Sequence, residues 1–153
     1  MSAVAYESAS SIKDWSCPHC HKYKMESISV FYTSDKSLQG FACYSPGLSS
    51  IIVSFRGSNN LENWITNLNT IQTDYPGCSK CYIHKGFYDA YKSIGAYVRG
   101  EVSKLKSLYR SAQIMITGHS LGGALASLAA VDIHKNIGNV QQLYTFGQPR
   151  VGN

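Results

Sequence analysis

The stretch Gly118-His119-Ser120-Leu121-Gly122 limits what this chain can fold into more than any other. It follows the apolar run Ile114-Met115-Ile116 and opens into the alanine-rich residues 123–131. A serine therefore stands on a sharp strand-to-helix turn, the layout of a nucleophile elbow. Glycine at both ends removes side chains that would collide in so tight a turn, and leaves the Ser120 hydroxyl exposed at the head of a helix. A pattern with only three fixed positions also recurs by chance, so the context must separate signal from coincidence. β-branched and apolar residues lead in, and Leu121, Leu125, Leu128 and Val131 then recur at helical spacing. Ser120 is the leading catalytic candidate.

The rest of the chain supplies elements that suit such a turn. Ala5, Tyr6, Ala9 and Ile12 have helix-compatible spacing near the start. Residues 30–33 and 40–44 read as a strand pair around 34–37, and residues 51–55 as a short buried strand. From Phe87 through Tyr91, Ile94, Val98, Val102 and Leu105 to Leu108 the apolar steps of three and four predict an amphipathic helix. Residues 143–146 form a last strand, ended by Gly147 and Pro149. Three strands thus precede the first long helix, and the order strands, helix, strand, helix, strand implies an α/β class with parallel pairing through crossover helices. With 153 residues and 44% hydrophobic content, one globular domain is expected. No apolar stretch approaches the roughly 20 residues of a membrane span, and the first residues lack the layout of a signal peptide, so an export signal is not expected within this chain.

The charge of +5, from 14 basic and 9 acidic residues, is scattered without a run of like sign and points to a solvated surface rather than to nucleic acid. Cys17-Pro18-His19-Cys20 and Cys78-Ser79-Lys80-Cys81 admit three readings: a four-thiolate zinc site, two local disulfides, or a redox pair. Zinc ribbons separate their pairs by roughly 15 to 20 residues, whereas a strand pair and an apolar helical segment intervene here. A redox motif belongs at a helix start in a thioredoxin-like unit, which neither pair shows. Two disulfides are the favoured reading, implying an oxidising compartment and no metal. Loops so short stabilise by about 2 kcal/mol each in the chain-entropy model, enough to pin a turn. Cys43 is left as a buried thiol acting as a small apolar side chain.

A second informative stretch is Phe55-Arg56-Gly57-Ser58-Asn59-Asn60-Leu61-Glu62-Asn63-Trp64-Ile65. Leu61, Trp64, Ile65 and Leu68 share one helical face, and Asn59 with Glu62 approximates a capping box. Such a stripe either packs on the core or forms a mobile lid whose apolar face meets lipid.

Together, Phe55-Arg56-Gly57-Ser58, Leu61-Glu62-Asn63-Trp64, the second cysteine pair, His84-Lys85-Gly86-Phe87, residues 118–126 and the closing Thr145-Phe146-Gly147-Gln148-Pro149-Arg150-Val151-Gly152-Asn153 resemble the fungal type of class 3 lipase, in that family's order and approximate spacing. The resemblance implies an α/β-hydrolase fold and carboxylic ester hydrolysis, with acylglycerols such as triacylglycerols as substrates and no cofactor. It implies Ser120 as nucleophile, an oxyanion hole of the Leu121 N–H and Ser58, a lid at 59–68 carrying Trp64, transient contact with a membrane or lipid-droplet surface, and an extracellular or secretory/vacuolar location.

One departure stands against these agreements. In the family the triad runs serine, aspartate, histidine, with both partners beyond the Pro-Arg-Val-Gly-Asn motif, and this chain stops there. Asp132 and His134 sit too close to Ser120 along the chain and read instead as a solvated aspartate and a histidine at a helix C-terminus. His119 must point away, His84 belongs to a turn before a helix, and His19 and His21 flank cysteines. The expectation is an α/β-hydrolase domain incomplete over 1–153, truncated before the catalytic Asp and His, nearly inactive by itself and with an exposed apolar edge. The alternative is a catalytically silent lipid-binding homologue. Oligomeric state is not legible.

Overall fold

The computed structural model describes residues 1–35, 37–58 and 71–153. A tight 3-10 turn at Val4–Tyr6 and the short helix α1 (Ala9–Lys13) precede three antiparallel strands, β1 (Glu26–Tyr32), β2 (Gln39–Ser45) and β3 (Ser50–Phe55). Two short strands follow, β4 (Gln72–Asp74) and β5 (Tyr82–His84), then α2 (Lys85–Leu108), β6 (Gln113–His119), α3 (Leu121–Asn136) and β7 (Gln142–Phe146). The main sheet has the order β1-β2-β3-β6-β7 and is mixed: β6 lies parallel to both β3 and β7. This is the α/β-hydrolase arrangement expected from the sequence.

Among the described residues five strands, not three, come before the long helix. The two extra ones pair only with each other, and each spans three residues. Of these six residues only Ile83 is buried, too little apolar periodicity to predict a strand. They are held from outside the pair, by the closing motif. Asn153 accepts the Tyr82 N–H at 2.8 Å and donates to the Lys80 carbonyl at 2.8 Å, and the His84 N–H donates to the Val151 carbonyl at 2.8 Å.

The alternation of strand side chains divides the core into two clusters. Ala42, Ile51, Val53, Phe55, Ile114 and Ile116 face α2 and α3. Phe41, Cys43 and Ile52 face the other way, onto Val4, Ala5, Ile12 and the Cys17–Cys20 disulfide. The N-terminal segment is therefore a layer of the molecule in its own right. Cys78 and Cys81 are likewise joined to each other, so each cysteine pair is closed on itself as a disulfide. Cys43 is a buried free thiol, its pKa pushed up to about 12 by burial. Among the described residues, no helix is long and apolar enough to cross a membrane.

Candidate active site

Strand β6 lies between β3 and β7 and delivers its last residues to the head of α3. Gly118 is in register with Phe55 on one side and Thr145 on the other, and His119 pairs with Phe146. Ser120 then adopts φ 56° and ψ −125°. For a residue with a side chain, this conformation costs on the order of 1–3 kcal/mol and persists only where the surroundings impose it. Three backbone hydrogen bonds do so. The Ser120 N–H donates to the Phe146 carbonyl at 2.9 Å, and the Ser120 carbonyl accepts from Gly123 at 2.9 Å and Ala124 at 3.3 Å.

The flanking glycines are required by contact rather than by dihedral angle. A Cβ on Gly118 would overlap the Gly122 carbonyl and stand 2.7 Å from the Gly123 nitrogen; one on Gly122 would overlap the Phe55 carbonyl. The turn thus brings α3 directly against the backbone of two strands. Ser120 is buried, yet its side chain does not cap the helix, and among the described residues its hydroxyl has no hydrogen-bond partner. Its oxygen is not among the enclosed side-chain atoms, so the unbonded hydroxyl stays open to an incoming group.

The chain leaving β3 runs beside this turn. The Arg56 N–H donates to the Gln39 carbonyl at 2.8 Å. Gly57 follows so closely that a Cβ there would lie 2.6 Å from the His119 carbonyl oxygen and 3.2 Å from the Ser120 Cβ. Ser58, half-buried, is next. It lines an open cleft of about 570 Å³ together with Ala3, Tyr6, His19, His119 and Phe146. On the opposite side, Leu121 and Gly122 begin α3, where the first N–H groups lack partners within the helix and present its positive end.

The five histidines occupy definite places, and none of them hydrogen-bonds Ser120. His119 turns its Nδ1 to the Tyr6 hydroxyl, 2.7 Å away. His84 caps α2 by accepting the Phe87 N–H at 3.4 Å. His134 is exposed in the last turn of α3, and His21 is exposed beside Cys20. His19 faces Glu7 at 3.9 Å.

Asp132 is not the solvated aspartate the sequence suggested. Tyr91 Oη and Arg99 NH1 both donate to its Oδ2 at 2.6 Å, and Asn136 donates to its Oδ1 at 2.8 Å. Burial, then the Asp132 hydrogen bond, pushes the Tyr91 pKa up. The reason is tertiary: α2 packs on α3 and brings two donors from 33 and 41 residues away. The contact of Tyr6 with the elbow was missed too, being separated from His119 by 113 residues with no local signal. The expected lid residues Leu61, Trp64, Ile65 and Leu68 lie outside the described residues.

Residues 52–153 match the family model for lipase (class 3). The chain belongs to the class 3 lipase family. It is 35% identical over 137 residues to the secreted mono- and diacylglycerol lipase 1 of Fusarium solani, covering 90% of this chain and 41% of that lipase. Among solved structures, the lipase of Rhizopus microsporus var. chinensis superposes with a TM-score of 0.89 at 32% identity, over 99% of this chain and 55% of that one. A triacylglycerol lipase whose catalytic centre is formed by a serine protease triad superposes with a TM-score of 0.86 at 33% identity, over 99% and 60%. The chain spans about half the length of the class 3 lipases it matches.

Proposed function

We propose that this chain carries the nucleophile and oxyanion hole of a carboxylic ester hydrolase acting on acylglycerols. The observation that carries the reading is Ser120, strained, buried and unbonded at the head of α3. In the first step its Oγ bonds to the ester carbonyl carbon, while the carbonyl π electrons move to the oxygen. That oxygen sits between the Leu121 N–H and Ser58, where one preorganised donor contributes about 3 to 4 kcal/mol. Collapse expels the alcohol with the proton that Ser120 gave up, leaving an acyl-enzyme that water hydrolyses. The base that takes the Ser120 proton is none of the five histidines of these 153 residues. It is supplied from outside them, in keeping with relatives that are about twice as long.

The substrates after which the relatives are named, mono- and diacylglycerols and triacylglycerols, support the acylglycerol class, and the two disulfides and a relative named as secreted support an extracellular or secretory location. Residues 59–68 are the segment we assign to contact with a lipid interface, on the strength of the apolar face of Leu61, Trp64, Ile65 and Leu68.

A fluorophosphonate probe, read by mass spectrometry, tests the assignment. In the full-length protein it labels Ser120, and Ser120→Ala abolishes both labelling and ester hydrolysis. A polypeptide of residues 1–153 alone labels slower by several powers of ten, since removing the base of a serine hydrolase costs on the order of a millionfold in turnover. Hydrolysis that survives Ser120→Ala would overturn the reading, and lipid binding without labelling would make the protein a silent homologue.

A further inference from the structure

Tyr6 lies outside the stretch matched by the family model and has no part in the chemistry above, yet it touches both walls of the site. The turn that carries it is firmly built. Val4 and Ala5 are buried under the sheet, and the Gln39 side-chain amide on β2 donates to the Ala5 carbonyl at 3.0 Å and to the Glu7 carbonyl at 2.8 Å. The Tyr6 side chain projects from this anchored turn. Its ring is tilted against the His119 ring at a centroid distance of 5.9 Å and remains 38% exposed, so it is no core anchor. Its hydroxyl makes two contacts: it lies 2.7 Å from His119 Nδ1, and it packs so closely on Gly57 that a Cβ there would overlap it.

A phenolic oxygen can accept one bond while its own hydrogen is donated to another group. The Tyr6 hydroxyl bonds His119 Nδ1 while the same oxygen rests against the backbone of Gly57. One oxygen thereby bridges the residue before Ser58 and the residue before Ser120. These two segments hold the two halves of the anion site, one leaving β3 and the other starting α3. A donor helps only if it already stands where the negative oxygen forms, and misplacement by about 1 Å can cost about 100-fold.

We propose that Tyr6 is a positioning residue for ester hydrolysis, its hydroxyl fixing the Gly57–Ser58 peptide against the elbow so that the Ser58 and Leu121 donors converge on one oxygen. This rests on Ser120 being the nucleophile. Gly57 serves the same end, because any side chain there would displace the hydroxyl. Gln39 reinforces it twice, with its side chain holding the turn of Tyr6 and its carbonyl holding Arg56.

The test uses the full-length protein and a soluble p-nitrophenyl ester. Tyr6→Phe retains the ring and removes the bridge. It lowers kcat about 10- to 100-fold with KM changed less than twofold and the melting temperature nearly unchanged. Phosphonylation of Ser120 slows by the same factor. His119→Ala, which removes the other end of the bridge, gives a similar loss, and the double variant is no slower than the worse single one. A kcat within twofold of the parent in Tyr6→Phe, or losses that multiply in the double variant, would overturn the positioning role while leaving the nucleophile intact. Hydrolysis unaffected by Ser120→Ala would instead remove the underlying reading.

Discussion

The two ends of α3 hold polar groups in opposite conditions. At the N-terminal end, Ser120 is buried, strained and without a hydroxyl partner among the described residues. Three turns on, the Asp132 carboxylate is bonded by Tyr91, Arg99 and Asn136. A part-buried acceptor that finds several donors stabilises the fold and has little chemistry left to offer. A hydroxyl that finds none, and whose oxygen is not sealed off, remains open to a substrate. The contrast separates a residue kept for reaction from one kept for packing, on a single helix in the same solvent.

Asp132→Ala should show the largest effect on stability. It removes the shared acceptor and leaves Tyr91 Oη with nothing to donate to, costing about 2–3 kcal/mol. That corresponds to roughly 4 to 12 °C in the melting temperature of a domain of this size, measured by calorimetry on the full-length protein. A melting temperature unchanged within a degree would mean the network is ornamental and the contrast false. Tyr91→Phe removes one donor while retaining the ring, and about 1 kcal/mol should follow, with ester hydrolysis unchanged apart from stability. The last effect has the opposite sign. Ser120→Gly relieves the positive φ, worth on the order of 1–3 kcal/mol, against about 1 kcal/mol of added chain entropy in the unfolded state. The variant should be inactive yet as stable as the parent, or up to about 2 kcal/mol more stable. A clear loss of stability in Ser120→Gly would show that the serine side chain supports the turn after all.

Local patterns made much of this fold readable. The elbow announced itself because its glycines, its apolar lead-in and its alanine-rich sequel are all contiguous, and the register of β6 with β3 and β7 bears out the strand and helix on either side. The six-residue run of β3 was evident because both faces of that strand are buried. Contacts made by distant residues were not evident. Nothing near Asp132 foretold Arg99, nothing near His119 foretold Tyr6, and the pairing of β4 with β5 depends on Asn153 and Val151 closing over it. In β7 Leu143, Tyr144 and Phe146 are each about half exposed, whereas every residue of β3 is buried. Strands of similar composition thus differ in burial through their neighbours alone, a property no single segment encodes.

The N-terminal layer has a bearing on how such proteins are divided into parts. The family match opens at Ile52, within β3, yet the turn of Tyr6 and strands β1 and β2 lie before it and supply one whole side of the sheet. A boundary drawn by shared ancestry would therefore cut through a structural unit. Someone trimming the gene to the matched stretch would strip the cover from Ile52 and release Arg56 from Gln39, leaving the recognisable motif intact on a polypeptide that has lost its footing.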